Sequence, residues 1–400
     1  MSMRFRFLLL AVAPLALAAC NALSEPTDQG ARDRSQVSPA EIFGGGTWTQ
    51  VAAGFQHTCA LASDGKAWCW GANQYGQLGV LTVSSCSEVG TCARRPLQVS
   101  GGLTFTSIAA GVTHSCGLTA AGAAWCWGGG NEGGNAGFLG NGTIVKSFAP
   151  VRVLGDSAFV QISIGLSNSC ALTASGQAFC WGRNTRGELG DSSQTPRASP
   201  VSVRTAVRYV KISLGVEHSC ALTTTGTANC WGHDRFGQLG RGAVAYNSFG
   251  LVRTAPGRVS STVAYTDISS GGEHTCALRT DGVVECWGIN VSAGQLGDRS
   301  GLTHRGVPGA ILDSLTYTTM SSGTSTICGR AENGAPRCWG GNIYGAIGNG
   351  DRSVLPEQSP VANLGSGFTS FSGGGQHMCA INAAQRLFCW GDKKFGQIGN

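Results

Sequence analysis

Cysteines are the residues of this chain with the most obvious capacity for chemistry. Seven times a cysteine is followed, ten residues later, by the tripeptide Cys-Trp-Gly. Thiols at a fixed spacing either form disulfides or bind a metal such as zinc. The seven pairs are Cys59 and Cys69, Cys116 and Cys126, Cys170 and Cys180, Cys220 and Cys230, Cys276 and Cys286, Cys328 and Cys338, and Cys379 and Cys389.

The spacing of these pairs favours disulfides over a metal. It is not the two-residue knuckle of a zinc site, and no histidine lies at a consistent zinc offset. If residues 63–65 form a three-residue hairpin loop, Cys59 lies opposite Cys69, within the Cα separation that a disulfide needs. Cys86 and Cys92 would close a small inserted loop. We predict eight disulfides and no metal site.

The chain repeats one unit seven times. The Cys-Trp-Gly tryptophans recur every 50–57 residues. In the third unit, the β-rich segments 159–164, 169–173, 177–181 and 200–203 are separated by Gly-rich turns, which predicts four short strands. A period near 50 with four strands per repeat is typical of a β-propeller. The tryptophans are Trp70, Trp127, Trp181, Trp231, Trp287, Trp339 and Trp390.

The repeat unit resembles a known family. Residues 54–61 read Gly-Phe-Gln-His-Thr-Cys-Ala-Leu, and they are followed by Asp64-Gly65, Cys69-Trp70-Gly71 and Tyr75-Gly76-Gln77-Leu78-Gly79. This pattern resembles the regulator-of-chromosome-condensation repeat over about residues 37–400. The resemblance implies an all-β, seven-bladed propeller with four-stranded antiparallel blades. It also implies binding of other proteins through one rim.

Two ends of the chain are expected to meet in one blade. The seventh unit ends at residue 400 without the Pro-Val strand found at Pro150-Val151 and Pro360-Val361. A spare segment with this character, 38–42, precedes the first unit. We predict that an N-terminal strand around 37–43 completes the last blade, because closing the ring removes exposed sheet edges. In the seventh hairpin Gln385 replaces the glycine of the other units, which leaves its turn type open.

The N-terminal residues are typical of an export signal. Residues 1–7 carry two arginines and no acid, and residues 8–19 are apolar. Leu17-Ala18-Ala19-Cys20 resembles the lipobox of bacterial lipoproteins, which implies cleavage before Cys20 and its acylation with palmitate-like chains. We therefore predict a signal peptide (1–19), a lipid-anchored flexible tether (20–36) and the propeller domain (37–400). The expected location is the bacterial cell envelope, at the outer membrane, facing either the periplasm or the exterior.

The charge of the chain argues against a nucleic-acid partner. It has 28 Lys and Arg against 22 Asp and Glu, a formal charge of +6. Without Arg4 and Arg6 of the predicted signal peptide the charge is about +4, and no block of like charges is present. This balance is too weak to indicate nucleic acid.

Several polar residues share a repeat position, and we interpret them as structural. His57, His114, His218, His274 and His377 recur at one position and could form a metal-binding or anion-binding ring, but a catalytic residue is needed once rather than five times. His233 and His304 lie in loops and indicate nothing further. A calcium role is conceivable for the turn residues Asp191, Asp298 and Asp351, yet one carboxylate per turn is too few ligands, so we expect them to be solvated.

No catalytic motif or cofactor motif is convincing, so we predict no catalytic residue and no cofactor. The favoured function is a non-catalytic protein-binding scaffold, either an adaptor or an inhibitor, on the cell envelope. The alternative is a glycan-binding or polysaccharide-degrading envelope protein, which would need paired carboxylates along the central channel. The units differ at the loops Val80–Arg95, Gly129–Phe138 and Ile289–Ala293. Loops on a rigid scaffold build binding surfaces, so we expect the partner there if they share one face.

Overall fold

The chain folds into seven four-stranded antiparallel sheets, as a computed structural model shows. The structure describes residues 39–42, 46–81, 86, 90–129, 137–242, 250–290, 294–352, 357–362 and 367–399. Within these residues there are 28 strands, and each sheet is one blade of the propeller. The predicted fold class is confirmed. The predicted signal peptide (1–19) and tether (20–36), with Cys20, lie outside the described residues.

The strands follow the chain from blade to blade. Blade 1 has β2 (Trp48–Ala53), β3 (His57–Ala62), β4 (Ala67–Ala72) and β5 (Cys92–Gln98), and blade 2 has β6 (Ser107–Ala110), β7 (His114–Leu118), β8 (Ala124–Gly128) and β9 (Ser147–Arg152). Blade 3 has β10 (Phe159–Ile164), β11 (Asn168–Thr173), β12 (Ala178–Gly182) and β13 (Arg197–Ser202), and blade 4 has β14 (Tyr209–Leu214), β15 (His218–Thr223), β16 (Ala228–His233) and β17 (Val252–Arg258). Blade 5 has β18 (Tyr265–Ser270), β19 (His274–Arg279), β20 (Val284–Ile289) and β21 (His304–Ala310), and blade 6 has β22 (Tyr317–Ser322), β23 (Thr326–Ala331), β24 (Pro336–Gly340) and β25 (Glu357–Ala362). Blade 7 has β26 (Phe368–Gly373), β27 (His377–Asn382) and β28 (Leu387–Gly391), with β1 (Ala40–Glu41) as its fourth strand.

The first strand of each blade lies toward the centre of the ring and bonds to its neighbour. The backbone N–H of Ser270 in blade 5 donates to Ser213 Oγ of blade 4 at 2.9 Å, and Ser322 N–H donates to Ser269 Oγ at 2.8 Å. In the same ring Lys211 of blade 4 forms an ion pair with Asp267 of blade 5. Hydroxyls and one ion pair thus join neighbouring blades around the channel.

The hydrophobic core lies between blades. Leu172 and Leu189 of blade 3 pack against Tyr209, Ile212 and Trp231 of blade 4, and the same arrangement recurs at the other contacts between blades. Burying an aliphatic side chain of this size stabilises the fold by about 1.5–3 kcal/mol. Because no blade can bury its apolar surface alone, each blade is stable only when it packs against its neighbours.

The glycine of each Cys-Trp-Gly tripeptide allows a close backbone approach. Gly182 has φ +100°, and a Cβ there would lie 2.5 Å from the carbonyl oxygen of Ser167 in the turn between the first and second strands. Only glycine tolerates both conditions. This contact fixes the turn against the end of the third strand in each blade, and it brings the residues of the turn and of the following connection to the same end of the blade.

The ring is closed by the N-terminal strand, as predicted. Ala40 pairs with Cys389 and Glu41 with Phe388, and Ile42 N–H donates to Leu387 O at 2.8 Å. The Ile42 side chain is buried among Trp48, Trp70 and Ile398. β1 covers the middle of the predicted segment 37–43, of which residues 37, 38 and 43 lie outside the described residues.

The described part of the chain contains no helix, and therefore none that is long and apolar enough to cross a membrane.

Candidate interaction face

Each blade has two ends with different loops. At one end lie the turns between first and second strands, such as 54–56, and the connections between third and fourth strands, such as 73–91. Backbone bonds hold these together, for example Arg183 N–H to Ser167 O and His233 N–H to Glu217 O, both 2.9 Å. We call this end the loop face. The opposite end, with the hairpins between second and third strands such as 63–66 and the connectors to the next blade, is the hairpin face.

The three loops that distinguish the units all belong to the loop face. Each occupies the connection between the third and fourth strands of its blade, after β4, β8 and β20. The predicted boundaries were too wide in two places: Cys92–Arg95 belongs to β5, and Ile289 is the last residue of β20. Residues 82–85, 87–89, 130–136 and 291–293 of these loops lie outside the described residues. The loops that distinguish the repeat units from one another therefore lie on one face.

The seven repeat pairs of cysteines lie opposite each other in the hairpins. Cys59 pairs with Cys69 in the strand register, and each of the seven Cα–Cα distances is 4.0–4.1 Å. Cys86 and Cys92 form an eighth disulfide in the first loop-face connection. The fourteen hairpin cysteines are fully buried. The disulfides therefore reinforce each blade from within and present no thiol chemistry at the surface.

The five recurring histidines are buried and bridge neighbouring blades. His57 Nε2 lies 2.8 Å from Ser115 Oγ of blade 2, and that hydroxyl donates to Gln77 O of blade 1 at 3.0 Å. Because the hydroxyl proton is used on the carbonyl, Nε2 of the histidine carries the proton that it donates. Burial, with smaller contributions from His377 and His114, lowers the pKa of His57 to about 3. A neutral, enclosed imidazole of this kind is structural.

This bridge is not present at every contact between blades. In blade 6, Ile327 occupies the repeat position that carries the bridging hydroxyl in other blades, and neither ring nitrogen of His274 has a hydrogen-bond partner among the described residues. Burial lowers the pKa of His274 to about 4. Asn168 and Thr326 replace the histidine in blades 3 and 6. The structural role of the histidines was predicted; the structure shows that a hydroxyl of the next blade links the ring to a backbone carbonyl.

The Cys-Trp-Gly tryptophans are also structural. Each is fully buried, and its indole N–H donates to a backbone carbonyl of the preceding blade, as Trp231 does to Glu188 O at 2.8 Å. The same carbonyl accepts the Ser219 hydroxyl at 2.9 Å. Buried indole N–H groups require such a partner, so these rings fix the distance between blades.

A charged cluster lies on the loop face of blades 3 and 4. Glu217 is its centre: its carboxylate lies 2.7 Å from Arg183, 3.7 Å from Arg186 and 3.1 Å from His233 Nδ1. We call these four residues the Glu217 cluster. Burial alone would raise the pKa of Glu217, but the contact with His233 and the two arginine charges outweigh it and lower the pKa to about 2. Glu217 is therefore an anion at any physiological pH.

Two further carboxylates flank the Glu217 cluster. Glu188 is buried, accepts the Arg186 backbone N–H at 2.7 Å and lies 3.7 Å from Arg183. The Glu273 carboxyl has no hydrogen bond or ion pair among the described residues, and burial raises its pKa. Burial likewise raises the pKa of Glu188. The loop face thus combines a fixed anion at Glu217 with a half-buried carboxyl at Glu273 that forms no ion pair with any described cation.

This cluster was not predicted from the sequence. His233 was assigned to a loop and given no role, but it is the last residue of β16. Glu217 and Glu273 each directly precede the shared histidine of their blades. Arg183 and His233 also share a position, directly after the Cys-Trp-Gly glycine. An alignment of the units on these positions would have shown the charges together.

Two of the three recurring aspartates are not solvated, contrary to expectation. Asp191 accepts two bonds from Arg197, at 2.9 and 3.0 Å, and Asp298 accepts one from Arg305 at 2.6 Å. Both carboxylates are nearly buried, while Asp351 is exposed. At these two aspartates an arginine side chain occupies the place that a bound metal ion would take. Over the described ranges, no three His, Cys, Asp or Glu side chains come together in a geometry that could hold a metal ion.

Models of one repeat family match the chain. Two models described as the regulator of chromosome condensation (RCC1) repeat match within residues 48–133 and 159–295, more than half of the chain. The chain belongs to the RCC1 repeat family. The sheet topology agrees, since the matched segments fall on successive blades.

The relatives of this chain are proteins of different kinds. The ultraviolet-B receptor UVR8 of Arabidopsis thaliana is 28% identical over 370 residues, covering 87% of this chain and 66% of the receptor. The probable human E3 ubiquitin-protein ligase HERC6 is 34% identical over 145 residues, covering 36% of this chain and 14% of the ligase. The chain thus spans less than two thirds of either relative. The structure of yeast RCC1 (Prp20) with Kap60 bound covers 86% of this chain and 80% of that chain, with a TM-score of 0.71 at 22% identity, which shows a shared fold.

Proposed function

We propose that this protein is a non-catalytic protein-binding scaffold, an adaptor or inhibitor, displayed on a bacterial cell envelope. The observation that carries the proposal is the one-sidedness of the propeller. Its variable connections, its charged cluster and its unpaired half-buried carboxyl all belong to the loop face. The repeated histidines, tryptophans and hairpin cysteines are buried and have structural roles.

A protein partner fits this face better than a small molecule. The partly exposed side chains of Arg183, Arg186 and Glu217 form a network of ion pairs at the surface. Charges on the rim of an interface select partners and speed association more than they add affinity. The yeast relative is a protein that binds Kap60. By family analogy this supports protein binding as a class, while the partner of this chain is a separate matter.

The envelope location rests on the N-terminal sequence. A lipobox-like Leu-Ala-Ala-Cys would place acyl chains on Cys20, and two or more chains anchor a protein stably. Eight disulfides suit an oxidising compartment. Mass spectrometry of the protein purified from membranes tests this directly. We expect an N-terminal peptide beginning at Cys20 with the added acyl mass, and its absence would overturn the lipid anchor.

A glycan-binding or glycan-cleaving protein is the second candidate, and one observation favours it. Glu217 and Glu273 occupy equivalent positions in adjacent blades, and their environments shift their pKa values in opposite directions. Carboxyl pairs with separated pKa values perform acid–base chemistry in glycosidases. Turnover of an envelope polysaccharide that is abolished by both Glu217→Gln and Glu273→Gln would establish this alternative in place of the scaffold.

Affinity capture with matched variants tests the scaffold proposal. The protein is immobilised and incubated with an envelope extract of its own host. We expect one protein to be retained in stoichiometric amount, and to be lost with Arg186→Glu/Arg235→Glu on the loop face. Lys66→Glu/Arg208→Glu makes the same change in charge on the hairpin face and should retain it. Retention of polysaccharide alone, or equal loss with both variants, would contradict the proposal.

A further inference from the structure

A row of basic residues lies at the outer edge of blades 7, 1 and 2, near the loop face. It comprises Arg94 and Arg95 on β5, Lys146 just before β9, and Lys394 in the turn after β28. All four are exposed. We call these four residues the basic rim. The Glu217 cluster belongs to blades 3 and 4, further around the ring.

Direct packing makes the basic rim continuous. The turn that carries Lys394 rests on β5: a Cβ at Gly396 would lie 2.9 Å from the Arg94 Cα. The equivalent turn of blade 1 rests on β9, where a Cβ at Gly76 would lie 2.8 Å from Ser147 O. Lys146 Nζ reaches back to Gln74 O of that turn at 3.3 Å. Three blades therefore present their cations along one edge.

No described acid forms an ion pair with the side chains of the basic rim. Within the described residues none of its four side chains forms an ion pair, whereas Arg183, Arg197 and Arg305 elsewhere each contact a carboxylate. The one described acid in the same turns, Asp392, accepts the Gln397 amide at 2.9 Å and the Lys394 backbone N–H at 3.1 Å. Among the described residues the positive charge of the basic rim is therefore unpaired, and an external anion can meet it.

Aromatic rings accompany these cations. Lys394 Nζ lies 5.8 Å from the centre of the Phe395 ring, and Lys146 Nζ lies 5.4 Å from that of Phe148. Both rings are half-buried. Basic groups beside partly exposed aromatic rings are typical of surfaces that meet the headgroup layer of a membrane.

The N-terminal segment joins the propeller at the basic rim. β1 runs antiparallel to β28, so Pro39 stands at the end of the pair that leads into the turn bearing Lys394. The residues after β28 contact both the N-terminal segment and blade 1. A Cβ at Gly399 would lie 2.9 Å from the Ile42 Cδ1, and Gly396 packs on Arg94. In the sequence 18 residues separate Cys20 from Pro39, so a lipid anchor at Cys20 would attach to the propeller beside the basic rim.

We propose that the basic rim binds the anionic phospholipid headgroups of the membrane that carries this protein. This extends the lipid anchor of the proposed function, and it rests on that location for its biological setting. Basic residues near an anionic bilayer each raise affinity about five-fold, which corresponds to about 1 kcal/mol. The propeller then stands edge-on, with blades 7, 1 and 2 toward the bilayer and the Glu217 cluster directed away from it, open to a partner.

Vesicle binding of an unacylated chain tests this proposal without the anchor or the partner. All seven sheets and the closing strand lie within residues 39–399, so a chain that begins at residue 21 keeps the described fold. We expect it to sediment with phosphatidylcholine vesicles containing about 30% phosphatidylglycerol and not with phosphatidylcholine alone, and to be released by salt. Arg94→Glu/Arg95→Glu/Lys394→Glu should weaken binding about 100-fold or more.

A matched control separates the site from the overall charge. Arg204→Glu/Arg208→Glu/Arg258→Glu makes the same change on the hairpin face of blades 3 and 4 and should bind vesicles nearly as well as the unaltered chain. Melting temperatures verify that both variants fold. Equal loss with both variants, or no binding to anionic vesicles, would overturn the proposal. Binding of soluble polyglutamate without binding of vesicles would identify an acidic polymer as the occupant and also overturn it. None of these outcomes bears on protein capture by the loop face.

Discussion

At the scale of single residues, the buried histidines make stability depend on pH. In the folded state His57, His114, His218 and His377 have pKa values of about 3, and His274 of about 4, all below the unfolded value of 6.5. The unfolded chain therefore takes up protons first as pH falls below about 6.5. Stability contributed by each histidine is complete above that pH and is lost toward pH 3, at up to about 1.4 kcal/mol per pH unit.

The same residues allow a matched test. Asparagine occupies this position in blade 3, so His218→Asn and His274→Asn are natural replacements. Both should reduce the loss of melting temperature between pH 7 and pH 5. At pH 7 the His218 variant should be less stable than the His274 variant by about 1 kcal/mol, because only His218 bonds to a hydroxyl of the next blade, that of Thr275 at 2.9 Å. Equal stabilities at pH 7 would show that this bridge contributes nothing.

Glu217 and Glu273 provide a second matched pair. Glu217→Gln removes a carboxylate that two arginines and His233 surround, and we expect it to cost about 1–2 kcal/mol at pH 7. Glu273→Gln removes a half-buried carboxyl without a cationic partner and should be neutral or slightly stabilising. The dependence on pH should also differ. The contribution of Glu217 is complete above its unfolded pKa of 4.5 and is lost as pH falls toward 2. Urea unfolding at pH 7 and pH 4 measures both effects.

At the scale of elements, the seventh hairpin carries backbone strain. Gln385 has φ +58°, in a place where the other six hairpins have glycine with φ between +76° and +85°. A residue with a Cβ is disfavoured in this region by about 1 kcal/mol. We expect Gln385→Gly to raise stability by up to that amount, measured by urea unfolding. Gly226→Gln should lower it, because a Cβ there would lie 2.7 Å from Tyr265 O. Destabilisation by Gln385→Gly would contradict this account.

The elements were predictable because the repeat carries its own register. The Cys-x9-Cys spacing together with a Gly three residues into the turn predicts that Cys59 lies opposite Cys69, and the structure has this pairing. The Glu217 cluster was not predicted, because its members come from three separate segments. Arg183 follows β12, Glu217 precedes β15 and His233 ends β16, so their contact depends on how adjacent blades stack. The spacing of residues within one unit does not contain that information.

At the scale of the whole molecule, closure of the ring depends on a short N-terminal strand. Ile42 is buried in the hydrophobic cluster between blades 7 and 1. Ile311 is buried in the equivalent cluster between blades 5 and 6. Each replacement by alanine should cost about 2–4 kcal/mol. The two variants should therefore melt at similar, lowered temperatures. If Ile311→Ala lowers the melting temperature and Ile42→Ala does not, the N-terminal strand does not close the ring in solution.

The central claim is that the loop face of this propeller binds a protein. A photo-crosslinking amino acid placed at Arg235 on the loop face, or at Lys66 on the hairpin face, tests it in the living host. Both side chains lie at the surface of a folded blade, so the two positions differ mainly in which face they report. We predict one discrete protein adduct from position 235 and none from position 66. An adduct from position 66 alone, or none from either position, would contradict the claim.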